Sequence, residues 1–249
     1  MSLPEIKLFN TLSGKKEPLR PINAGKLNIY LCGPTVYGLT HVGNARTSIF
    51  GDLVVRILRH AGFEVNFARN ITDVDDKIIK AAQDKGTSPE ELAQQFTQSY
   101  LDEQKRLANI PSDQTPKATE HIDEIVTMSK GLVDSGAAYV AETPFGNDVY
   151  FKVKHFKDYG KLSKRKTDEL LVGARIEPGE IKEDPLDFAL WKAAKPGEPS
   201  WSSPWGEGRP GWHIECSAMI NKCFPEGLDI HMGGLDLIFP HHENEIAQS

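Results

Sequence analysis

The chain has no apolar run approaching the ~20 residues that a membrane-spanning helix needs. Residues 1–14 lack the apolar core and small-residue cleavage site of a secretory leader. Both absences argue against a membrane protein or a secreted one. Cysteine is scarce, with only Cys32, Cys216 and Cys223 among 249 residues. An odd, sparse set does not build a disulfide framework. It points to a reducing, cytoplasmic compartment in which a thiol serves metal binding or catalysis. Neither a C-x-x-C pair nor an H-E-x-x-H helix occurs, so spacing alone names no zinc site. Nucleotide fingerprints are missing too: there is no G-x-x-x-x-G-K-S/T and no G-x-G-x-x-G. Internal repeats and low-complexity tracts are absent. Positive charge is not in excess, since 29 Lys and Arg face 35 Asp and Glu for a net charge of −6. That argues against a protein that coats nucleic acid wholesale by charge, while leaving room for a local basic face.

What is present suits a folded protein of one or two domains, with 39% hydrophobic and 26% charged residues. Residues 27–32 predict a strand that breaks at Gly33-Pro34. Residues 42–61 predict a helix with Val42, Ile49, Leu53 and Ile57 as its apolar stripe. Residues 64–69 predict a second strand. Thr72 reads as a helix cap with Asp75 closing a capping box, and Asp73, Asp75 and Asp76 suit the positive end of that helix. A metal held by these acids is the alternative. The β-α-β-α rhythm predicts a parallel sheet. Residues 88–107, with Pro89 in the first turn, and 121–135, with Ile122, Ile125, Val126 and Leu132 on one stripe, predict two more helices. Residues 138–153 predict two strands around a turn at 144–147. The rhythm then lapses, and 118–190 reads as a small α+β insertion between 1–117 and 191–249. The basic run 161–166 (KLSKRK) is a phosphate-backbone contact or a solvated loop.

His241 and Glu245 are four apart and share one helix face, which His242 and Glu243 cannot join. Cys216 lies near the start of its own predicted helix, and Cys32 at the end of the first strand. In a parallel sheet the carboxyl ends of strands and the starts of helices lie along one edge. Cys32, Cys216, His241 and Glu245 are therefore free to converge, and two thiolates, an imidazole and a carboxylate suit zinc. Small buried core thiols are the plainer alternative. His213-x-Glu215 matches part of the zinc-deaminase signature but lacks its P-C-x-x-C partner. His41-Val-Gly-Asn44 opens the first helix, where backbone amides and the dipole favour an anion. His41 and Asn44 are potential donors to phosphate, and Gly43 would let a flat ring approach the backbone. On this tetrapeptide alone, a capped helix with an exposed histidine is the plainer reading.

Segments 32–37 (CGPTVY), 41–44 (HVGN), 70–77 (NITDVDDK), 211–219 (GWHIECSAM) and 239–245 (FPHHENE) together resemble the N-terminal part of the class I aminoacyl-tRNA synthetases, closely the cysteinyl-tRNA synthetase family. Residues 41–44 match that family's HIGH signature with Asn in the last place. The resemblance implies an α/β fold: a Rossmann-like parallel sheet with helices on both faces, interrupted by a connective-peptide insertion at 118–190. It implies one zinc on Cys32, Cys216, His241 and Glu245, and a cysteine pocket from Cys32, Gly33, Thr72, Trp212 and His231. It also implies an ATP site from Thr35, His41, Gly43, Asn44, Gly234 and Asp236, with His41 and Asn44 catalytic. The implied partners are L-cysteine, ATP with Mg2+, and tRNA(Cys), with no membrane and a monomeric state. The implied reaction is cysteine–tRNA ligation through cysteinyl-adenylate. Family members continue into a KMSKS loop and an anticodon-binding region. Neither occurs in these 249 residues, and the helix pattern running uncapped to Ser249 suggests a piece of a longer protein. Weak ATP binding and little aminoacylation are therefore expected of this chain alone. The alternatives are a cysteine ligase of mycothiol synthesis, a non-catalytic zinc module, and a metallohydrolase with Glu243 as general base.

Overall fold

A computed structural model describes residues 4–165 and 181–249. The chain divides into two compact units, Met1–Glu120 with Met219–Leu235, and His121–Ala218 with Asp236–Ser249. Among the described residues no helix is long and apolar enough to cross a membrane.

The first unit opens with an antiparallel hairpin, β1 (Lys7–Asn10) and β2 (Lys15–Pro18), which the sequence reading missed. Its turn is closed by Gly14, at φ 70°, donating to the Asn10 carbonyl at 2.8 Å. A three-stranded parallel sheet follows. Its centre is β3 (Lys26–Leu31), flanked by β4 (Glu64–Arg69) and by β9 (Ile230–Met232). Alternation puts Leu27, Ile29, Leu31, Val65 and Phe67 in one core with Val55 and Leu58 of α1 (Val42–His60).

The buried side of α1 is Ser48, Gly51, Asp52, Val55 and Leu58. The stripe expected to be buried is instead exposed: Val42 is 86% accessible, and Ile49, Leu53 and Ile57 about half. Close approach explains the reversal. A Cβ on Gly51 would stand 2.6 Å from Leu31 Cδ2, so the sheet accepts the small-residue side of the helix. Asp52 is tolerated there because its carboxylate accepts from Arg56 Nε and from the Ile110 amide, both at 2.7 Å.

The expected cap at Thr72 is also corrected. Helix α2 (Asp76–Lys85) is capped by Asp75, which accepts from the Lys77 amide at 2.8 Å. Thr72 is buried and bridges to Thr35. Asp73 accepts from the amide and hydroxyl of Thr119, at 3.0 and 2.6 Å, and burial pushes its carboxyl pKa up. These acids thus have structural partners. The reciprocal capping box belongs to α3 (Pro89–Arg106), between Ser88 and Glu91.

In the second unit, α4 (Ile122–Asp134) covers an antiparallel sheet ordered β5 (Ala138–Thr143), β6 (Gly146–Phe151), β7 (Phe188–Ala193) and β8 (Gly208–Pro210). Ile122, Ile125, Val149, Phe151, Leu190 and Trp191 fill its core. Helix α5 (Trp212–Cys223) starts hard against β7, because Gly211 has no Cβ: one would lie 1.9 Å from the Ala189 carbonyl oxygen. The turn Ile238–His242 leads into α6 (Glu243–Gln248).

Candidate metal centre and nucleotide site

The start of α5 and the junction before α6 bring Cys216, His241 and Glu245 together. One potential ligand atom from each lies within 4.8 Å of the other two. They are only 2%, 2% and 4% exposed. His241 Nε2 is 3.0 Å from Glu245 Oε1, the i,i+4 pairing that the spacing predicts. Burial alone would push the His241 pKa down. The Glu245 carboxylate and the Cys216 sulfur outweigh it and raise the value to about 10. The cluster is therefore short of positive charge. A sulfur, a nitrogen and an oxygen donor shut away from water fit a zinc ion in type. The Trp212 indole stacks on the His241 ring, with centroids 4.4 Å apart and planes 14° apart. At the ring's other nitrogen, His213 Nδ1 lies 3.1 Å from His241 Nδ1.

In the first unit Cys32 follows β3, and its amide donates to the Met232 carbonyl at 2.9 Å. Its Sγ is 3.3 Å from His231 Nε2, since His231 stands opposite Tyr30 in the parallel register and alternation puts Cys32 on the same face as Tyr30. Gly33 comes next and touches Asn70, where an added Cβ would fall 1.7 Å from the Asn70 carbonyl oxygen. Asn70 Oδ1 accepts from the Gly33 amide at 2.8 Å, and Asn70 Nδ2 donates to Thr72 Oγ1 at 3.3 Å. Four of the residues assigned to a cysteine pocket, Cys32, Gly33, Thr72 and His231, thus gather at the carboxyl ends of β3, β4 and β9. Asn70, buried completely, is the organiser that sequence reasoning quoted without assigning a role.

A cleft lined by Thr35, Tyr37, His41, Asn44, Phe96 and Tyr100 lies at the start of α1. His41 is the N-cap, and its Nδ1 accepts from the Gly43 amide at 3.0 Å. In the neutral ring that leaves the proton on Nε2, which is a donor. Gly43 has a reason the sequence did not give: its Cβ would lie 2.8 Å from His41 Cε1, so only glycine lets the imidazole fold back over its own helix. Gly234 follows β9 and is not among the cleft-lining residues, and Asp236 is exposed in the turn Leu235–Leu237.

The family model described as "tRNA synthetases class I (C) catalytic domain" matches residues 18–249. The chain belongs to that family. It is 57% identical over 242 residues to the cysteine–tRNA ligase of Lawsonia intracellularis, covering 97% of this chain and 49% of that protein. Against the cysteine–tRNA ligase of Pyrococcus abyssi it is 57% identical over 245 residues, covering 98% and 50%. The chain spans about half the length of the curated relatives it matches. Among solved structures, Mycobacterium tuberculosis methionyl-tRNA synthetase in complex with methionyl-adenylate is similar with a TM-score of 0.67 at 14% identity, over 90% of this chain and 54% of that one. That likeness concerns the fold, and it bears out the expected class I synthetase α/β architecture with a parallel sheet.

Within this class I synthetase chain, Glu243 is the residue whose role the sequence left misread. It is 1% exposed, and its carboxylate accepts from the amides of Gly160 at 2.9 Å, Ser163 at 2.8 Å and, more distantly, Leu162 at 3.4 Å. The neighbouring Asn244 Oδ1 accepts the Tyr159 hydroxyl, whose pKa is pushed up by burial and then by the Glu243 charge. Both residues hold the loop 159–163 in place. Glu243 is thus committed to backbone amides, which leaves the metallohydrolase reading without its base. The signal was available: a residue two positions from each of two helix-face ligands points away from them. Lys161 pairs with Asp158 at 3.4 Å, and Lys166 lies outside the described residues.

Proposed function

We propose that the whole protein to which this chain belongs is a cytoplasmic cysteine–tRNA ligase, and that these 249 residues supply its cysteine and ATP half-sites. The observation that carries the reading is the buried Cys216, His241 and Glu245 cluster, in a chain whose relatives are named cysteine–tRNA ligase. Cys216, His241 and Glu245 would hold zinc, with Cys32 as the fourth ligand. Zinc, when bound, supplies a Lewis acid that favours a substrate thiolate over a serine hydroxyl. An apolar pocket alone separates such similar side chains by only about 10²-fold. Gly33, Asn70 and Thr72 fix the wall beside Cys32 and His231, and Trp212 is the remaining residue that the family resemblance assigns to the pocket. The substrate carboxylate attacks the α-phosphorus of ATP, the bond from that phosphorus to the α–β bridging oxygen breaks, and pyrophosphate leaves; Mg2+ on the phosphates would offset its charge. His41, through its Nε2 proton, and Asn44, through its amide, donate to the phosphate oxygens as charge builds there. Thr35 stands with His41 and Asn44 in this site and the Gly43 amide donates to His41, the family resemblance alone adds Gly234 and Asp236, and 118–190 is the connective-peptide insertion. A terminal ribose hydroxyl of tRNA(Cys) then attacks the carbonyl carbon of the cysteinyl-adenylate, the bond from that carbon to the phosphate oxygen breaks and AMP leaves, so no protein nucleophile is needed.

The test uses full-length protein. Cysteine-dependent, serine-resistant ATP–pyrophosphate exchange followed by cysteinylation of tRNA is expected. Transfer to an amino sugar in place of tRNA would favour the mycothiol-type ligase, and exchange at full-length rates by the 249 residues alone would overturn the half-site assignment.

A second expected result concerns protons. The metal-free His241 keeps its proton well above neutral pH, so zinc must displace it. Affinity should therefore climb with pH from neutral up to about 10. Calorimetry near neutral pH in buffers of different ionisation heat should return binding enthalpies that differ in proportion. Identical heats in all buffers would contradict the assignment of His241 as a ligand.

A further inference from the structure

We infer that His213 is a positioning residue for the metal: it accepts the Nδ1 proton of His241 and so leaves Nε2 of His241 as the ligand atom. The inference rests on the zinc reading above.

A neutral imidazole carries one proton, and a nitrogen that gives its lone pair to a metal cannot also hold it. The His241 Nε2 atom faces Glu245 Oε1 at 3.0 Å, on the ligand side. Its proton must then sit on Nδ1, where water is shut out because the side chain is 2% exposed. A buried N–H needs an acceptor. An acceptor in reach of Nδ1 is His213 Nδ1, at 3.1 Å. His213 therefore keeps its own proton on Nε2.

Stacking alone does not do this work. The Trp212 indole fixes the plane of the His241 ring at 4.4 Å, yet a 180° flip of the ring within that plane leaves the stack unchanged and exchanges its nitrogen and carbon positions. The hydrogen bond to His213 breaks that symmetry.

His213 is itself held. Its ring sits edge-on to Phe188 of β7, with centroids 5.4 Å apart, and tilts against Trp212 at 4.9 Å. Its carbonyl accepts Gln248 Nε2 at 2.6 Å, and the same amide donates to Ser217 Oγ at 2.9 Å. The far end of α6 is thereby tied to the first turns of α5, which keeps the two imidazoles at contact distance. Outer partners of this kind typically contribute about 10- to 100-fold in metal affinity.

The experiment compares His213→Gln, which retains an acceptor, with His213→Leu, which fills the space without one. Zinc affinity of the 249-residue chain is read by chelator competition, and the visible spectrum of the cobalt(II) form reports ligand geometry. His213→Leu is expected to lose roughly 10- to 100-fold in affinity with an altered cobalt spectrum. His213→Gln should stay close to the unsubstituted chain in both. Equal affinities for Leu and Gln variants, whether both high or both low, would overturn the inference. Failure of the unsubstituted chain to bind zinc would overturn the zinc reading itself.

Discussion

Glu243→Ala should cost about 3–5 kcal/mol of stability, because it strands the buried amide of Gly160 and the half-buried amide of Ser163, and an amide left without an acceptor costs roughly 1–3 kcal/mol. The amides are those of Gly160 and Ser163, at 2.9 and 2.8 Å from the carboxylate, with Leu162 further off. In a domain of this size such a loss lowers the melting temperature by about 6–20 °C. The local signature is more telling than the midpoint. Hydrogen exchange at the Gly160 and Ser163 amides should accelerate sharply, while the sheet of β3 and β4 keeps its protection. Glu243→Gln, with one carbonyl oxygen in place of two carboxylate oxygens, should fall between. Unchanged protection at those two amides in the alanine variant would refute the clamp.

Gly33→Ala should be the most damaging single methyl group in the first unit. Its Cβ would lie 1.7 Å from the Asn70 carbonyl oxygen and 2.8 Å from the carbonyl carbon, and both are backbone atoms that cannot rotate away. Relief requires pulling apart the segments joined by the Gly33-to-Asn70 bond and by the backbone bonds Thr72 N to Pro34 O and Val36 N to Thr72 O, each at 3.1 Å. A loss of about 4–5 kcal/mol is expected, at the upper end for point substitutions. If the proposed cysteine pocket holds, what survives folding should bind cysteine poorly, since Thr72 moves with Asn70. Gly38→Ala is the matched control: nothing lies within 4 Å of its Cβ, so stability should hold. If the two alanine variants melt alike, the close approach of Gly33 is not what shapes this wall.

Strands β3 and β4 and helix α3 were readable within a residue or so, since each is a periodic run with clear punctuation. Leu27, Ile29 and Leu31 alternate, and Ser88-Pro-Glu-Glu91 marks a helix start by backbone chemistry alone. The face of α1 was not readable. Apolar periodicity weights size, whereas the contact with Leu31 selected Gly51 for smallness, and Ser48 meets the Tyr100 hydroxyl. Thr72 and Asp75 both satisfy the local capping rule. What separated them was the bridge from Thr72 to Thr35, which is non-local and leaves no trace in the helix pattern. The closeness of His241 to Glu245 was legible because an i,i+4 spacing puts two side chains on one helix face, whereas the sheet-edge argument only allowed Cys216 to join them. Glu243 was not legible, because its acceptors' partners lie some eighty residues upstream in a loop without periodicity.

The self-capping of His41 has a consequence for the cost of recognition. An exposed side chain that must be ordered when a ligand arrives forfeits about 0.5–1.5 kcal/mol of rotamer freedom at that moment. The His41 ring, tied through Nδ1 to the Gly43 amide, loses that freedom when the helix forms. The entropy is surrendered during folding, not during encounter, so an anion landing at the start of α1 meets a donor whose direction was set before it came.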